Sequence, residues 1–128
     1  MDYYFSKLIT SSFNEAINRT TEALQAEGFG IISDIDMRQK LKDKLGVDFH
    51  EYRILGACNP SFAHKALLAE EKIGTMLPCN IIVIDKENGW IEIAAVNPIA
   101  SMMAIHNQDL ENVATEVTDK LKRVVAKL

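Results

Sequence analysis

The stretch NIIVIDKENGWIEIAAV, residues 80–96, decides the fold of this chain. Its run of four apolar residues, 81–84, is typical of a strand that is buried on both faces. Asn88-Gly89 favours the positive φ angles of a tight turn, and a second strand is predicted from Trp90 to Val96. The two strands form an antiparallel hairpin, which excludes an all-parallel sheet.

Three more strands are predicted upstream of the hairpin, at about residues 2–10, 30–35 and 52–58. A helix separates the first two of these strands. Ser12 and Glu15 match a capping box at its start, and Gly28 is placed to end it.

Two shorter helices are predicted between the later strands. Asp36 is placed to cap the first, which ends at Gly46 and turns three apolar residues inward: Met37, Leu41 and Leu45. The second begins with Asn59 as its N-cap and Pro60 at its first position, and it extends to about Lys72.

The last helix is predicted over about residues 109–127. Its apolar residues recur at steps of four and three: Leu110, Ala114, Val117, Leu121, Val124 and Leu128. The stripe spans fewer than three heptads, so it favours packing on a sheet over a coiled-coil seam. The order of elements predicts one α+β domain over 1–128, with two layers. In it, a largely antiparallel five-stranded sheet carries helices on one face.

Charge and composition narrow the function classes. The 128 residues include 14 Lys and Arg against 18 Asp and Glu, for a net charge of −4. This balance argues against binding to nucleic acid or to an anionic membrane surface. Only two cysteines are present, and we see neither a signal peptide nor a long apolar run, so we expect a cytoplasmic protein.

The two cysteines form the main candidate site. Cys58 ends the third predicted strand and Cys79 begins the fourth, so antiparallel pairing would set both thiols at one edge of the sheet. Cys58 also precedes the helix at Asn59 and Pro60, whose free N–H groups stabilise a thiolate. His64 lies one turn further on and is a candidate third ligand for a metal.

The plainer interpretation of these residues, which we favour, is structural. Cysteine is often buried and packs like a small apolar group. Two thiols alone do not complete a tetrahedral zinc site, and no Cys-x-x-Cys motif is present. We find no nucleophile elbow, phosphate loop or dinucleotide fingerprint, so the sequence names no reaction, catalytic residue or cofactor.

Several segments together resemble a bacterial and archaeal family, domain of unknown function 302. They are YRILGACNP at 52–60, LPCNIIV at 77–83 and the later Asn97-Pro98. The family more often has Asp before that last proline, so Asn97 departs from its pattern. The resemblance covers nearly the whole chain, and the Cys-Asn-Pro and Leu-Pro-Cys segments are its most specific part.

The resemblance implies a fold of the TATA-binding-protein-like class, with a strand, a helix, four further strands and a final helix. It also implies a homodimer, but it brings no established activity. Fold similarity alone does not imply DNA binding.

Three functions are therefore expected, in this order. The first is a homodimeric binding or interaction module, because one face of the doubly apolar strand 81–84 would need a partner or a ligand. The second is a redox or metal-responsive protein that uses Cys58 and Cys79. The third is an enzyme that binds a small anionic ligand at the helix N-terminus near Asn59.

Overall fold

The computed structural model describes residues 1–128 and contains one five-stranded sheet. The strands are β1 (Tyr4–Thr10), β2 (Gly30–Asp36), β3 (Tyr52–Cys58), β4 (Cys79–Asp85) and β5 (Trp90–Val96). Their order across the sheet is β1-β5-β4-β3-β2, and every neighbouring pair is antiparallel. The predicted α+β class with a five-stranded antiparallel sheet is confirmed.

Five α-helices and a 3-10 helix connect and cover the strands. They are α1 (Phe13–Ala26), α2 (Met37–Leu45), α3 (Pro60–Ala69), the 3-10 helix Glu71–Met76, α4 (Pro98–Ser101) and α5 (Gln108–Ala126). None of the helices combines the length and apolar character needed to cross a lipid bilayer.

The core lies between one face of the sheet and the helices α1 and α5. Strands β4 and β5 contribute the alternate residues Ile81, Val83, Ile91, Ile93 and Ala95, all at most 2% exposed. The α5 stripe is buried, and its residues from Val117 to Leu128 belong to this core, whereas Leu110 at its start packs with Ala66 and Ile73. Packing on the sheet, rather than a coiled-coil seam, therefore accounts for the stripe.

Two expectations about burial were wrong. Ile82 and Ile84 of β4 are only half-buried, because no helix covers the face to which they point. Helix α2 has no buried residue, and Leu45 at its end is 69% exposed. This helix contacts β3 near the edge strand β2, away from the core that α1 and α5 cover.

The third predicted helix ends three residues early. Helix α3 stops at Ala69, and the segment expected to continue it forms the 3-10 helix. The Ala69 carbonyl, which has no donor within its own helix at this end, accepts a hydrogen bond from Asn107 Nδ2 at 2.7 Å. A residue just before α5 thus stabilises the C-terminus of α3 at Ala69, three residues before the predicted end.

The side-chain caps predicted at Ser12 and Asp36 are present, but the Glu15 carboxylate accepts no hydrogen bond from the Ser12 N–H, so only half of the predicted capping box forms. Ser12 Oγ accepts from the Glu15 N–H at 3.1 Å, and Asp36 Oδ1 accepts from the Gln39 N–H at 3.0 Å. Gly28 follows α1 with a φ of +87°, a conformation that side chains other than glycine rarely adopt.

Candidate functional site

The end of β3 and the start of β4 lie side by side, as the sequence predicted. Ala57 pairs with Cys79 in the β3–β4 ladder, and Cys58 follows Ala57 directly. Both cysteines are free. This edge of the sheet opens into a cleft of about 350 Å³ between α3, α5 and the strand ends.

The cleft, called the thiol cleft below, is almost entirely apolar. Hydrophobic residues make up 15 of the 19 that line it. The larger ones include Phe29, Phe62, Leu77, Met102, Leu110 and Val117. Both cysteines and Asn59 also line it.

Small residues and a β-bulge make room for the thiol cleft. Ala63 and Ala66 of α3 line the same space as Ala114 of α5, so side chains do not fill the gap between the two helices. The register of β2 against β3 shifts between Ile31 and Ser33, which makes the intervening Ile32 a bulge residue. A bulge re-aims a side chain, and Ile32 lines the cleft.

The two thiols differ in exposure. Cys79 is buried, at 9% exposed, whereas Cys58 is half-buried. Burial, together with the neighbouring Cys58, raises the pKa of the Cys79 thiol to about 11. Cys79 is therefore protonated at neutral pH, which fits a packing role better than a nucleophilic or metal-ligating one.

Asn59 is the N-cap of α3 by position, but the expected side-chain cap is wrong. Its side chain makes no capping hydrogen bond. Its Nδ2 instead donates to the Glu27 carbonyl at 3.4 Å, because the end of α1 lies directly beside it. The side chain is thus committed to a contact between α1 and α3.

The structure does not bring His64 to the thiols. His64 is exposed on α3 and does not line the cleft. No group of three or more His, Cys, Asp or Glu side chains is arranged to hold a metal ion. Of the four candidate residues, the cleft collects Cys58, Asn59 and Cys79.

Sequence reasoning missed two lysines that approach Phe62, although neither of them lines the cleft itself. The Nζ atoms of Lys65 and Lys120 lie 5.4 Å and 5.8 Å from the centre of the Phe62 ring, which lines the cleft. The spacing of Phe62 and Lys65 on one helix is a local signal for the first contact. Lys120 comes from α5, so no local signal points to the second.

Sequence reasoning also missed how far the sheet face without helices extends. This face is called the open face below. Its alternate strand residues are Tyr4, Ser6, Leu8, Thr10, Ser33, Ile35, Tyr52, Ile54, Gly56, Asn80, Ile82, Ile84, Trp90, Glu92, Ala94 and Val96. A shallow depression of about 430 Å³ lies between its tyrosines and β4. Burial raises the pKa of Tyr52 in this depression, with smaller contributions from Tyr3 and Glu92.

Comparisons with known proteins agree with this architecture. The family model described as "Domain of unknown function DUF302" matches residues 5–128. A crystal structure described as an uncharacterized conserved protein DUF302 from Bacillus stearothermophilus is 28% identical, with a TM-score of 0.90. The match covers 99% of this chain and 98% of that one. No curated protein matches the chain. The family model spans nearly the entire sequence, and the chain therefore belongs to the family of domain of unknown function DUF302.

Proposed function

We propose that the chain is a non-enzymatic homodimeric binding module. Two copies associate through their open faces, and each copy holds a small ligand in its thiol cleft. The observation that carries the proposal is the charge content of the open face. Among its strand residues only Glu92 is charged.

The open face has the composition of a protein interface. An antiparallel sheet with one solvated face normally places polar residues on that face. Here Leu8 is 55% exposed and Trp90 47%, with Tyr4 and Ile35 close to 40%. Interface centres are depleted of charge and enriched in aromatic residues, as this face is.

A second copy of the chain is the partner that fits best. Two-fold association pairs the same surface on both subunits, so like charges on that surface would repel. The only strand charge here, Glu92, already has Lys86 Nζ 3.8 Å away. Self-association therefore brings together apolar and aromatic side chains with little electrostatic cost.

Sedimentation equilibrium tests this dimer. We expect the natural sequence to sediment as a dimer at micromolar concentration and Leu8→Glu to sediment as a monomer, because the substitution places a charge within the apolar face. Leu45→Glu is the matched control, since Leu45 is similarly exposed on α2, outside the open face. A monomeric natural sequence, or equal dissociation of both variants, would contradict the proposal.

A thiol-based redox or metal-responsive protein is the second candidate. The observation in its favour is that Cys58 and Cys79 line one cleft and lie close enough for the charge of one to raise the pKa of the other. The protonated state of Cys79 and the distant placement of His64 weigh against it. The third candidate, an enzyme with an anion at the α3 N-terminus near Asn59, gains no specific support. A cytoplasmic location stays a prediction.

Alkylation across a pH range separates the first two candidates. In a Cys58→Ala variant, Cys79 is the only thiol, and we expect iodoacetamide to modify it slowly at neutral pH. Its rate should still be rising above pH 9.0, because only the thiolate reacts and burial, the main cause of the raised pKa, remains when Cys58 is absent. The same variant in denaturant is the control, and its rate should level off near the ordinary value of 9.0.

Mass spectrometry provides the readout, with circular dichroism to confirm that the variant is folded at each pH. Fast modification of Cys79 in the folded state at pH 7 would favour the redox candidate. So would rapid formation of an internal disulfide in the natural sequence under a mild oxidant, with the loss of two hydrogens.

A further inference from the structure

We propose that the ligand of the thiol cleft is an amphipathic anion, specifically an alkyl carboxylate. Its hydrocarbon chain would lie in the cleft, and its carboxylate would meet Lys65 and Lys120 at the edge of Phe62. This inference rests on the proposed function only in treating the cleft as a binding site. It does not depend on the dimer.

The lining of the thiol cleft favours a ligand with an apolar body. Its volume of about 350 Å³ lies at the lower end of the range for small-molecule sites, about 300–1,000 Å³. The lining offers few polar groups to a ligand, and the Asn59 amide already donates to the Glu27 carbonyl. Ile32 and Leu67 line the cleft while 64% and 47% exposed, so its entrance is open to solvent.

The two lysines at the Phe62 ring favour a ligand with an anionic group. Lys65 makes no ion pair or side-chain hydrogen bond, and its ammonium lies 5.4 Å from the Phe62 ring centre. Lys120 reaches Glu27 only at 3.8 Å, whereas Arg123 and Lys127 approach the same carboxylate to 3.0 Å and 3.2 Å. The Glu27 carboxylate is thus held mainly by Arg123 and Lys127.

The pKa of Glu27 is lowered by its hydrogen bonds from Arg123 and Lys127, so it stays ionised and keeps both of these partners. Lys65 and Lys120 then remain as the two cations at Phe62 that a ligand can neutralise. An alkyl carboxylate meets both the apolar and the anionic requirement, because its hydrocarbon chain matches the cleft and its carboxylate can pair with the two lysines. A neutral alcohol meets only the apolar one, and an alkylammonium would be repelled.

Titration with three ligands of equal chain length tests the inference. Decanoate and decyltrimethylammonium, each below its micelle concentration, and decanol, below its solubility limit, are added to the full chain and followed by NMR chemical shifts. We expect decanoate to bind about tenfold more tightly than decanol, as two partly exposed charge contacts allow. Shifts should centre on the amides of Cys58, Phe62 and Ala114, which lie along the cleft.

Trp90 reports binding at the wrong surface. It is the only tryptophan, and it lies on the open face. Its fluorescence should stay unchanged when decanoate binds in the cleft. A change in Trp90 emission that follows decanoate binding would place the ligand on the open face and overturn the inference.

Variants measure the contributions of the lysine charges and of the apolar cavity to binding separately. The double substitution Lys65→Gln and Lys120→Gln should reduce decanoate affinity to that of decanol and leave decanol unchanged. Lys44→Gln is the matched control, because Lys44 is exposed on α2 and makes no ion pair. Ala63→Phe should abolish binding of both ligands by filling the cleft, whereas Ala126→Phe at the end of α5 should not.

The outcomes distinguish the two proposals. Equal affinity for decanoate and decanol would overturn the carboxylate assignment while leaving the cleft as a binding site. No binding of any of the three ligands would overturn the inference, and the dimer would still stand or fall by sedimentation alone. If Ala63→Phe does not fold, the lysine pair still decides the matter.

Discussion

Asn97 lies buried between β5 and α4 and uses its side-chain amide in two directions. Its Nδ2 donates to the Asp2 carbonyl at 3.0 Å, while its Oδ1 accepts from the Ile99 N–H at 3.1 Å. The backbone N–H of Asn97 also donates to the Tyr3 carbonyl at 2.8 Å. One residue therefore caps α4 and fixes the segment that leads into β1.

The Nδ2 donor explains why asparagine suits this chain at position 97, where the family resemblance leads one to expect Asp. We expect Asn97→Asp to retain the cap but to lower the free energy of unfolding by about 1–3 kcal/mol, because a carboxylate would face the Asp2 carbonyl without a donor. Urea denaturation measures the change.

Asn14→Asp is the control for that substitution. Asn14 is exposed in the first turn of α1, where a negative charge is favourable, so its effect on stability should be near zero. If the two variants were equally stable, the hydrogen bond from Nδ2 to Asp2 would have no energetic role.

Single residues could be predicted from sequence where their partners are local. Ser12 and Asp36 cap the helices that the sequence assigned to them, because each bonds an N–H only three residues away. Asn59 has the same N-cap preference, but its side chain bonds the end of α1 instead. That partner is distant in the chain, and no pattern around Asn59 reveals it.

At the scale of elements, the absence of a side chain at Gly56 lets Ser33 of β2 and Pro78, just before β4, pack closely against β3. A Cβ atom at this position would lie 2.7 Å from Cγ of Pro78 and would overlap the Ser33 hydroxyl. The glycine is therefore required by close packing across the β2, β3 and β4 strands, and not by its backbone angles.

We expect Gly56→Ala to destabilise the protein by about 1–3 kcal/mol, the usual cost of overpacking. Gly30→Ala is the matched control in the neighbouring strand, because a Cβ there meets no atom within 4 Å. Thermal or urea unfolding of both variants tests the expectation. Equal stability of the two would show that the Ser33 and Pro78 contacts relax freely.

The elements that sequence predicted well carry a repeating pattern of their own. The hairpin of β4 and β5 and the stripe of α5 are periodic over many residues, so each indicates its own burial. Helix α4 and the 3-10 helix are short and lack such periodicity. The cleft depends on alanines from α3 and α5 meeting in space, which no single stretch of sequence records.

At the scale of the whole molecule, the sheet separates two surfaces. The face toward α1 and α5 holds the core and ends in the thiol cleft, while the opposite face is the surface that we propose for self-association. The sequence hinted at the second through the apolar run at 81–84. It could not show that β1, β3 and β5 extend this surface, because the strand order is a tertiary property.

The strand order also determines how long β1 must wait for its pairing partner while the chain is synthesised. β1 lies at one margin of the sheet and pairs only with β5, so that Tyr4 meets Val96. At about 5–20 residues per second, translation leaves the first strand without its hydrogen-bonding neighbour for roughly 5–20 s. The nascent chain must therefore keep Tyr4–Thr10 from pairing elsewhere until most of the polypeptide has been made.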